Sequence, residues 1–368
     1  MVISAFAEEE TYTIAPIGSR VNFTVTHGLN DTRQPELYIF FTMNNTWQLY
    51  NEIVMSNLQK SGCVISLFSG AGGLDLGFKA AGLKPDVCFE LDQFAVATLQ
   101  ANNPDMVTKC IDINNLATAP DIKTEVRNLS GYTGEKVLAV IGGPPCQSFS
   151  TAGKRMGFND PRGRLVLSYL TIVEALSPEY CVFENVRGIT SMHVTPGDTT
   201  SQLLVDFIVD KLKSLGYYLA YGILNAADYG VAQKRERFVI IGCRSKLVPL
   251  PKPTHSKQPT NNLKAWITLG DAIKHLEHVI APTLAFSPAT QTIMQSIPEG
   301  GNWRNLNVRD QKLVMGGAFL SGGGNVGFFR RLTYDQPAPT LVTSPVQKAT
   351  VHKNLIKVEH SQRSPEIA

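Results

Sequence analysis

The chain has 368 residues, 43% hydrophobic and 18% charged, with a formal net charge of +3. That length fits two domains, or one large domain with an insertion, and the composition supports a sizeable core and excludes a disordered chain. The slight positive charge permits a polyanionic partner without demanding one, and no apolar run approaches the roughly 20 residues of a membrane span.

The opening MVISAFAEEETYT lacks a basic region and soon turns acidic, so no secretory signal is expected there and a soluble intracellular protein is. NFT and NDT within residues 22–32 match glycosylation acceptors, which without export is a chance match. Residues 1–60 show a mixed pattern, with some strands and then a helix near 47–59.

From residue 63 short apolar runs alternate with amphipathic stretches. The runs predict strands at Val64–Phe68, Asp86–Glu90, Val107–Ile111, Val137–Ile141 and Tyr180–Phe183. Helices are expected at Leu74–Ala81, Phe94–Asn102 and Gly163–Leu176. Such alternation indicates βαβ units and a parallel sheet. Two further runs, Tyr217–Leu224 and Arg237–Gly242, are joined by the turn-like NAADYGVAQKRE and read as a hairpin. LVPLPKPTHSKQPTNN, rich in proline and polar residues, then marks a boundary. The division expected is an extension at 1–60, a catalytic and cofactor-binding domain at 61–245, a smaller loop-rich domain at 246–328, and a return segment at 329–368.

In an open parallel sheet, ligands bind beyond the carboxyl ends of the strands. Here those ends carry SGAGGLDLG, Glu90 with Asp92, Asp112, GGPPCQ, and Glu184. FSGAGG at 68–73 suits a tight turn with close ligand approach, though a glycine turn alone can be a plain βα turn. An acid about 20 residues later, Glu90, is placed to accept both hydroxyls of a ribose. The loop lacks the Lys-Ser/Thr ending of a triphosphate loop, so a nucleoside without phosphates fits better, S-adenosylmethionine first. Asp112 could accept from an adenine amino group or simply cap a helix.

The six cysteines are Cys63, Cys88, Cys110, Cys146, Cys181 and Cys243. None forms a CxxC pair, so no metal site is expected. Five lie in or beside apolar runs and read as small buried hydrophobes. Cys146 differs. Two prolines fix the backbone before it and remove two N–H donors, which presents the thiol at a strand end beside the cofactor loop. Thiolate sulfur is a strong nucleophile. One helix joins the strands ending at Cys146 and Glu184, so these are expected to be parallel neighbours that bring nucleophile and acid to one site.

FSGAGGLDLGF at 68–78, FELD at 89–92, GGPPCQSFS at 142–150, ENVRG at 184–188, QKRERFVIIG at 233–242 and RRLTYDQPAPTL at 330–341 stand in order along roughly two-thirds of the chain. Together they resemble the C5-cytosine DNA methyltransferase family, of the prokaryotic restriction-modification type. The resemblance implies a Rossmann-like S-adenosylmethionine-dependent methyltransferase sheet with a smaller, loop-rich target-recognition domain at 246–328. It also implies double-stranded DNA as partner and a cytoplasmic protein, on the nucleoid when DNA-bound.

It further implies a flipped cytosine, with Cys146 adding to C6, Glu184 bonding the N3 edge, and Arg235 and Arg237 holding the nucleotide and the thiolate's surroundings. On composition alone those arginines would be a solvated hairpin cluster. Cofactor contacts are expected from Phe68, Ser69, Gly70, Gly72, Gly73, Glu90, Leu91, Asp112, Ile113 and Pro144. DNA contacts are expected from Gln147, Ser148, Lys154, Arg155, Arg162 and Arg164.

One departure stands out. The family's last Gly-Asn-(Ala/Ser)-Val motif is not found after RRLTYDQPAPTL, where the sequence ends HKNLIKVEHSQRSPEIA. Truncation, a second polypeptide or the N-terminal extension would account for it. The alternatives to a DNA methyltransferase are an RNA cytosine-5 methyltransferase of the same fold and a DNA-binding relative inactive without a partner.

Overall fold

Valine, isoleucine and leucine between two cysteines or glycines build strands that need cover on both faces, and the molecule provides it. The computed structural model describes residues 62–132, 134, 136–145, 164–194, 201–276, 287–319 and 329–340, together with the backbone of N-terminal strands Val2–Ile3, Glu10–Ile14, Val21–Val25 and Leu37–Tyr38. Seven strands form the central sheet: β1 (Cys63–Leu67), β2 (Val87–Glu90), β3 (Val107–Cys110), β4 (Val137–Gly142), β5 (Tyr180–Val186), β6 (Tyr218–Asn225) and β7 (Glu236–Cys243). Their order is β6-β7-β5-β4-β1-β2-β3. The first five run parallel, and β7 enters antiparallel between β5 and β6. β1 is buried along its whole length, as a central parallel strand must be when helices cover both faces.

Alternate residues of β1 feed opposite cores. Val64 joins Phe78, Leu83, Leu138 and Ile141 under helix α1 (Gly73–Ala80). Ile65 and Leu67 join Val140, Tyr169, Leu170 and Phe183 on the other face. Tyr169 is buried, donates to the Val182 carbonyl at 2.9 Å and meets Phe183 edge-on at 5.4 Å. Truncating so large a buried aromatic costs about 3–5 kcal/mol, so this side chain fixes its helix against β5.

The expected alternation of strands and helices is observed. Helix α2 spans Gln93–Asn102. Three more helices were not anticipated: α3 (Ile113–Ala117), α4 (Ile122–Ser130) and, after α5 (Arg164–Leu176), α6 (Leu204–Ser214). The signals for α4 were present, since Asp121 caps it by accepting from Thr124 N at 3.2 Å and Gly131 ends it at φ 70°. Helix α6 buries Leu204, Ile208 and Leu212, one side of a 3.6-residue period.

Two boundaries moved. Phe68 lies beyond β1, at φ 58°. β5 runs on to Val186 because pairing with β7 continues through Val239↔Glu184 to Arg237↔Val186, which places Glu184 within the strand and not after it. The expected hairpin forms, in register from Tyr218↔Cys243 to Asn225↔Glu236.

Beyond β7 the described chain holds short helices: α7 (Leu269–Ile273), whose Leu269 packs with Leu332 and Ala338, and α8 (Pro288–Ser296) and α9 (Val308–Met315), against a small core of Met294, Ile297, Trp303, Leu306 and Phe329. Residues 338–339 return to the sheet domain and pair in parallel with Gln233–Lys234. Among the described residues no helix is long and apolar enough to cross a membrane, and no cluster of three or more His, Cys, Asp or Glu could hold a metal.

Candidate active site

At the end of β1 the backbone turns through Phe68 (φ 58°), Gly70 (φ 56°) and Gly72 (φ 91°) before α1 begins at Gly73. A side chain on Gly70 would meet nothing within 4 Å, so its glycine is required by conformation, and the space above the turn is open. A Cβ on Gly72 would sit 2.4 Å from Leu99 Cδ1, so the turn also packs closely on α2. Ser69 N donates to the Phe89 carbonyl at 3.2 Å, tying the turn to β2.

Glu90 ends β2 with its carboxylate oriented by three amides. Oε2 accepts from Gly70 N at 2.7 Å, and Oε1 accepts from Leu91 N at 2.8 Å and Asp92 N at 2.9 Å. Each carboxylate oxygen can accept two hydrogen bonds, so Oε2 retains an acceptor position for a ligand hydroxyl. Leu91 and Phe94 are exposed and form an apolar lip beside it. Asp112 caps α3, accepting from Asn114 N at 2.9 Å. Ile113 is buried in the main core.

The ends of β4 and β5 meet. Gly143 passes so close to Glu184 that an added Cβ would lie 2.8 Å from Glu184 Oε2. Asn185 Nδ2 donates to the Pro144 carbonyl at 2.8 Å, clamping the proline turn one strand over. Asn185, 4% exposed, is a site residue to which the sequence reading gave no role of its own; a buried amide beside a strand-end acid was the available signal. The described backbone of this turn reaches residue 145. Cys146 and the expected DNA contacts Gln147, Ser148, Lys154, Arg155 and Arg162 lie outside the described residues. Arg164 is exposed at the first position of α5.

Glu184 Oε1 and Arg237 Nε form an ion pair at 2.7 Å, with side chains 31% and 15% exposed. Glu184 faces Val239 and Arg237 faces Val186, so acid and guanidinium are diagonal neighbours on one face of the β5–β7 ladder. Arg237 Nη1 also donates to the Glu236 carbonyl at 2.8 Å. Arg235 lies alongside. Burial, and then the like charge of Arg237, lowers its pKa, while Glu184 opposes that shift. Its backbone N donates to Asn225 Oδ1 at 3.1 Å, and the preceding Gln233–Lys234 strand is held by Ala338–Pro339. The structure therefore brings Glu184, Arg235 and Arg237 together beside the proline turn. Two guanidiniums around one carboxylate leave a positive surplus, which suits an anionic or carbonyl-bearing guest.

This geometry makes Gly143→Ala informative. The new methyl group would push Glu184 off its Arg237 pairing while leaving the sheet intact. A turnover loss of roughly ten- to a hundredfold is expected, the scale of a misplacement of about 1 Å, with an almost unchanged melting temperature. Steady-state kinetics alongside thermal unfolding checks this, and unchanged turnover would show that the close approach is incidental.

A seven-stranded sheet of this order, a glycine turn with a strand-end acid, and a proline turn against Glu184 and two arginines define a class. Residues 63–317 match the model of the C-5 cytosine-specific DNA methylase family, and the chain belongs to that family. Its relatives include the Type II methyltransferase M.Sau96I of Staphylococcus aureus, 38% identical over 308 residues that cover 83% of this chain and 66% of the relative. M.PspPI of Psychrobacter sp. is 38% identical over 297 residues, covering 79% and 66%. M.AquIA of Picosynechococcus sp. is 39% identical over 252 residues, covering 65% of this chain and 98% of the relative. The chain thus spans about two thirds of the length of the first two relatives and nearly all of the third.

Proposed function

We propose that the chain is a sequence-specific DNA (cytosine-5) methyltransferase that uses S-adenosylmethionine and serves a restriction-modification system in the cytoplasm. The observation that carries this reading is the meeting of Glu184, Arg237 and Arg235 with the Gly143–Pro144 turn that leads into Cys146.

The cofactor fits the residues present. The open space above Gly70 admits a ligand against the backbone, the free acceptor position of Glu90 suits a ribose hydroxyl, and Leu91 with Phe94 offers an apolar wall. Phe68, Ser69, Gly72, Gly73, Asp112, Ile113 and Pro144 complete the proposed contacts. S-adenosylmethionine, when bound, supplies an electrophilic methyl group. Glu90→Ala should weaken its binding by at least roughly tenfold while leaving DNA affinity nearly unchanged, because a charged acceptor is removed from one ligand only. Calorimetry on the free protein decides it, and unchanged affinity would make Glu90 a strand-end acid that only shapes the turn.

The target cytosine has to leave the stack for its C5 and C6 to be reached. Cys146, as thiolate, adds to C6 and raises electron density at C5. Glu184, a carboxylate paired with Arg237 in the free protein, takes up a proton from solvent as the cytosine enters, bonds the N3 edge and passes that proton to it as charge develops on the ring. Arg237 holds Glu184 in place, and Arg235 reaches the nucleotide's oxygen atoms. After transfer, loss of the C5 proton expels Cys146 and restores the ring.

Residues 246–328 act as the target-recognition unit, and Lys154, Arg155, Arg162 and Arg164, with Gln147 and Ser148, meet the DNA. Tritium transfer from labelled S-adenosylmethionine to mixed-sequence duplex DNA tests the proposal, with transfer RNA as the competing acceptor. Incorporation into duplex DNA supports it, and incorporation confined to RNA overturns it. Activity that appears only after adding a polypeptide bearing the Gly-Asn-(Ala/Ser)-Val motif would assign that segment to a partner subunit.

A further inference from the structure

The ladder between β6 and β7 stops one residue short of Arg235. Its last pair is Asn225↔Glu236, and the chain then leaves the sheet for a 3-10 turn, Ala226–Tyr229. Had the ladder continued, Ala226 and Arg235 would exchange two backbone bonds. One of them is made, since Ala226 N donates to the Arg235 carbonyl at 3.0 Å. The other is replaced. The Ala226 carbonyl accepts instead from Val231 N at 3.2 Å, inside the turn. The Arg235 N–H goes to the side chain of Asn225, whose Oδ1 accepts it at 3.1 Å and also accepts from Ala227 N at 3.4 Å. A carboxamide oxygen has two lone pairs, so one atom serves both donors and closes the loop 226–235 at its base.

The rest of that loop is fastened without Asn225. Tyr229 Oη donates to the Pro251 carbonyl at 3.0 Å, and Gln233–Lys234 pair with Ala338–Pro339. Removing the carboxamide therefore frees residue 235 and leaves the loop's other anchors in place. Burial and the like charge of Arg237 both act against the Arg235 guanidinium where it stands, so its main chain has to fix it there.

We infer that Asn225 is a positioning residue for the proposed reaction: through its carboxamide oxygen it sets the main chain of Arg235, and with it the guanidinium beside Glu184 and Arg237. The inference rests on the role given to Arg235 above.

Turnover on duplex DNA is compared for wild type, Asn225→Ala, Asn225→Asp, Arg235→Ala and the double variant with both alanines. Asn225→Ala should lose roughly ten- to a hundredfold in turnover, the scale of a misplacement of about 1 Å, with an unchanged KM for S-adenosylmethionine. In the Arg235→Ala background the same change should cost less than about twofold more, because the group it acts through is already gone. Asn225→Asp keeps an acceptor in the same place and should recover most of the loss. Amide hydrogen exchange at residue 235 of the free protein gives a readout that needs no activity. It should quicken roughly tenfold in Asn225→Ala, the worth of one hydrogen bond, and return toward wild type in Asn225→Asp. An equal loss of turnover in both backgrounds, unchanged exchange at residue 235, Asn225→Asp no better than Asn225→Ala, or an Asn225→Ala chain that no longer folds overturns the inference and leaves the functional reading standing. A wild-type chain that methylates no duplex, whatever the exchange at residue 235, overturns both.

Discussion

Cys146→Ser is expected to abolish methyl transfer while leaving duplex binding largely intact. A neutral hydroxyl is far weaker as a nucleophile than a thiolate. Gly143 and Pro144 are held from outside the turn, by the close approach of Glu184 and by Asn185 on the Pro144 carbonyl, and the substitution leaves both contacts untouched. Loss of activity with retained binding in a gel-shift titration is the expected result. A serine variant that methylates at more than about a hundredth of the wild-type rate would remove covalent addition from the mechanism.

Glu184→Gln is expected to lower turnover on the order of 10²-fold or more, typical of a lost general acid. Glutamine retains the shape and can still bond the N3 edge, but it cannot give up a proton. It also exchanges a charged partner of Arg237, now at 2.7 Å, for a neutral one. Single-turnover kinetics with saturating DNA isolates the chemical step. A rate within a few-fold of wild type would mean that Glu184 serves to orient Arg237 and moves no proton.

Most of the sheet was legible because its strands are continuous apolar runs bounded by glycines and acids, and because the chemistry-bearing residues stand at their ends. The hairpin of β6 and β7 was readable from its turn, but its register was not. That register puts Arg237 diagonal to Glu184 and draws β5 on to Val186, so the acid belongs to a ladder and not to a loop. Sequence spacing carries no record of which residues two distant strands will place opposite each other.

Helix α4 carries a cap and α6 only periodic apolar positions, and both signals are weaker than those of the strands beside them. Asp75 marks a different limit. An acid in the first turn of a helix reads as a surface residue favoured by the helix dipole. In the structure it is completely buried and accepts from Cys88 on β2, a neighbour that its own helix does not reveal. Asp112 shows the converse, since the helix cap that local sequence allowed is what the structure contains.

The central claim is that Cys146 forms a covalent bond to the cytosine ring during methyl transfer. A duplex carrying 5-fluorocytosine at the target position lacks the C5 proton whose loss releases the enzyme, so the adduct should persist. Incubating the protein with such duplexes and S-adenosylmethionine, followed by denaturing electrophoresis and peptide mapping, reads the bond directly. The account predicts one stable adduct on the peptide containing Cys146, absent from Cys146→Ser. An adduct on Cys110 or any other cysteine, or active methylation of ordinary duplex with no trapped species, would contradict it.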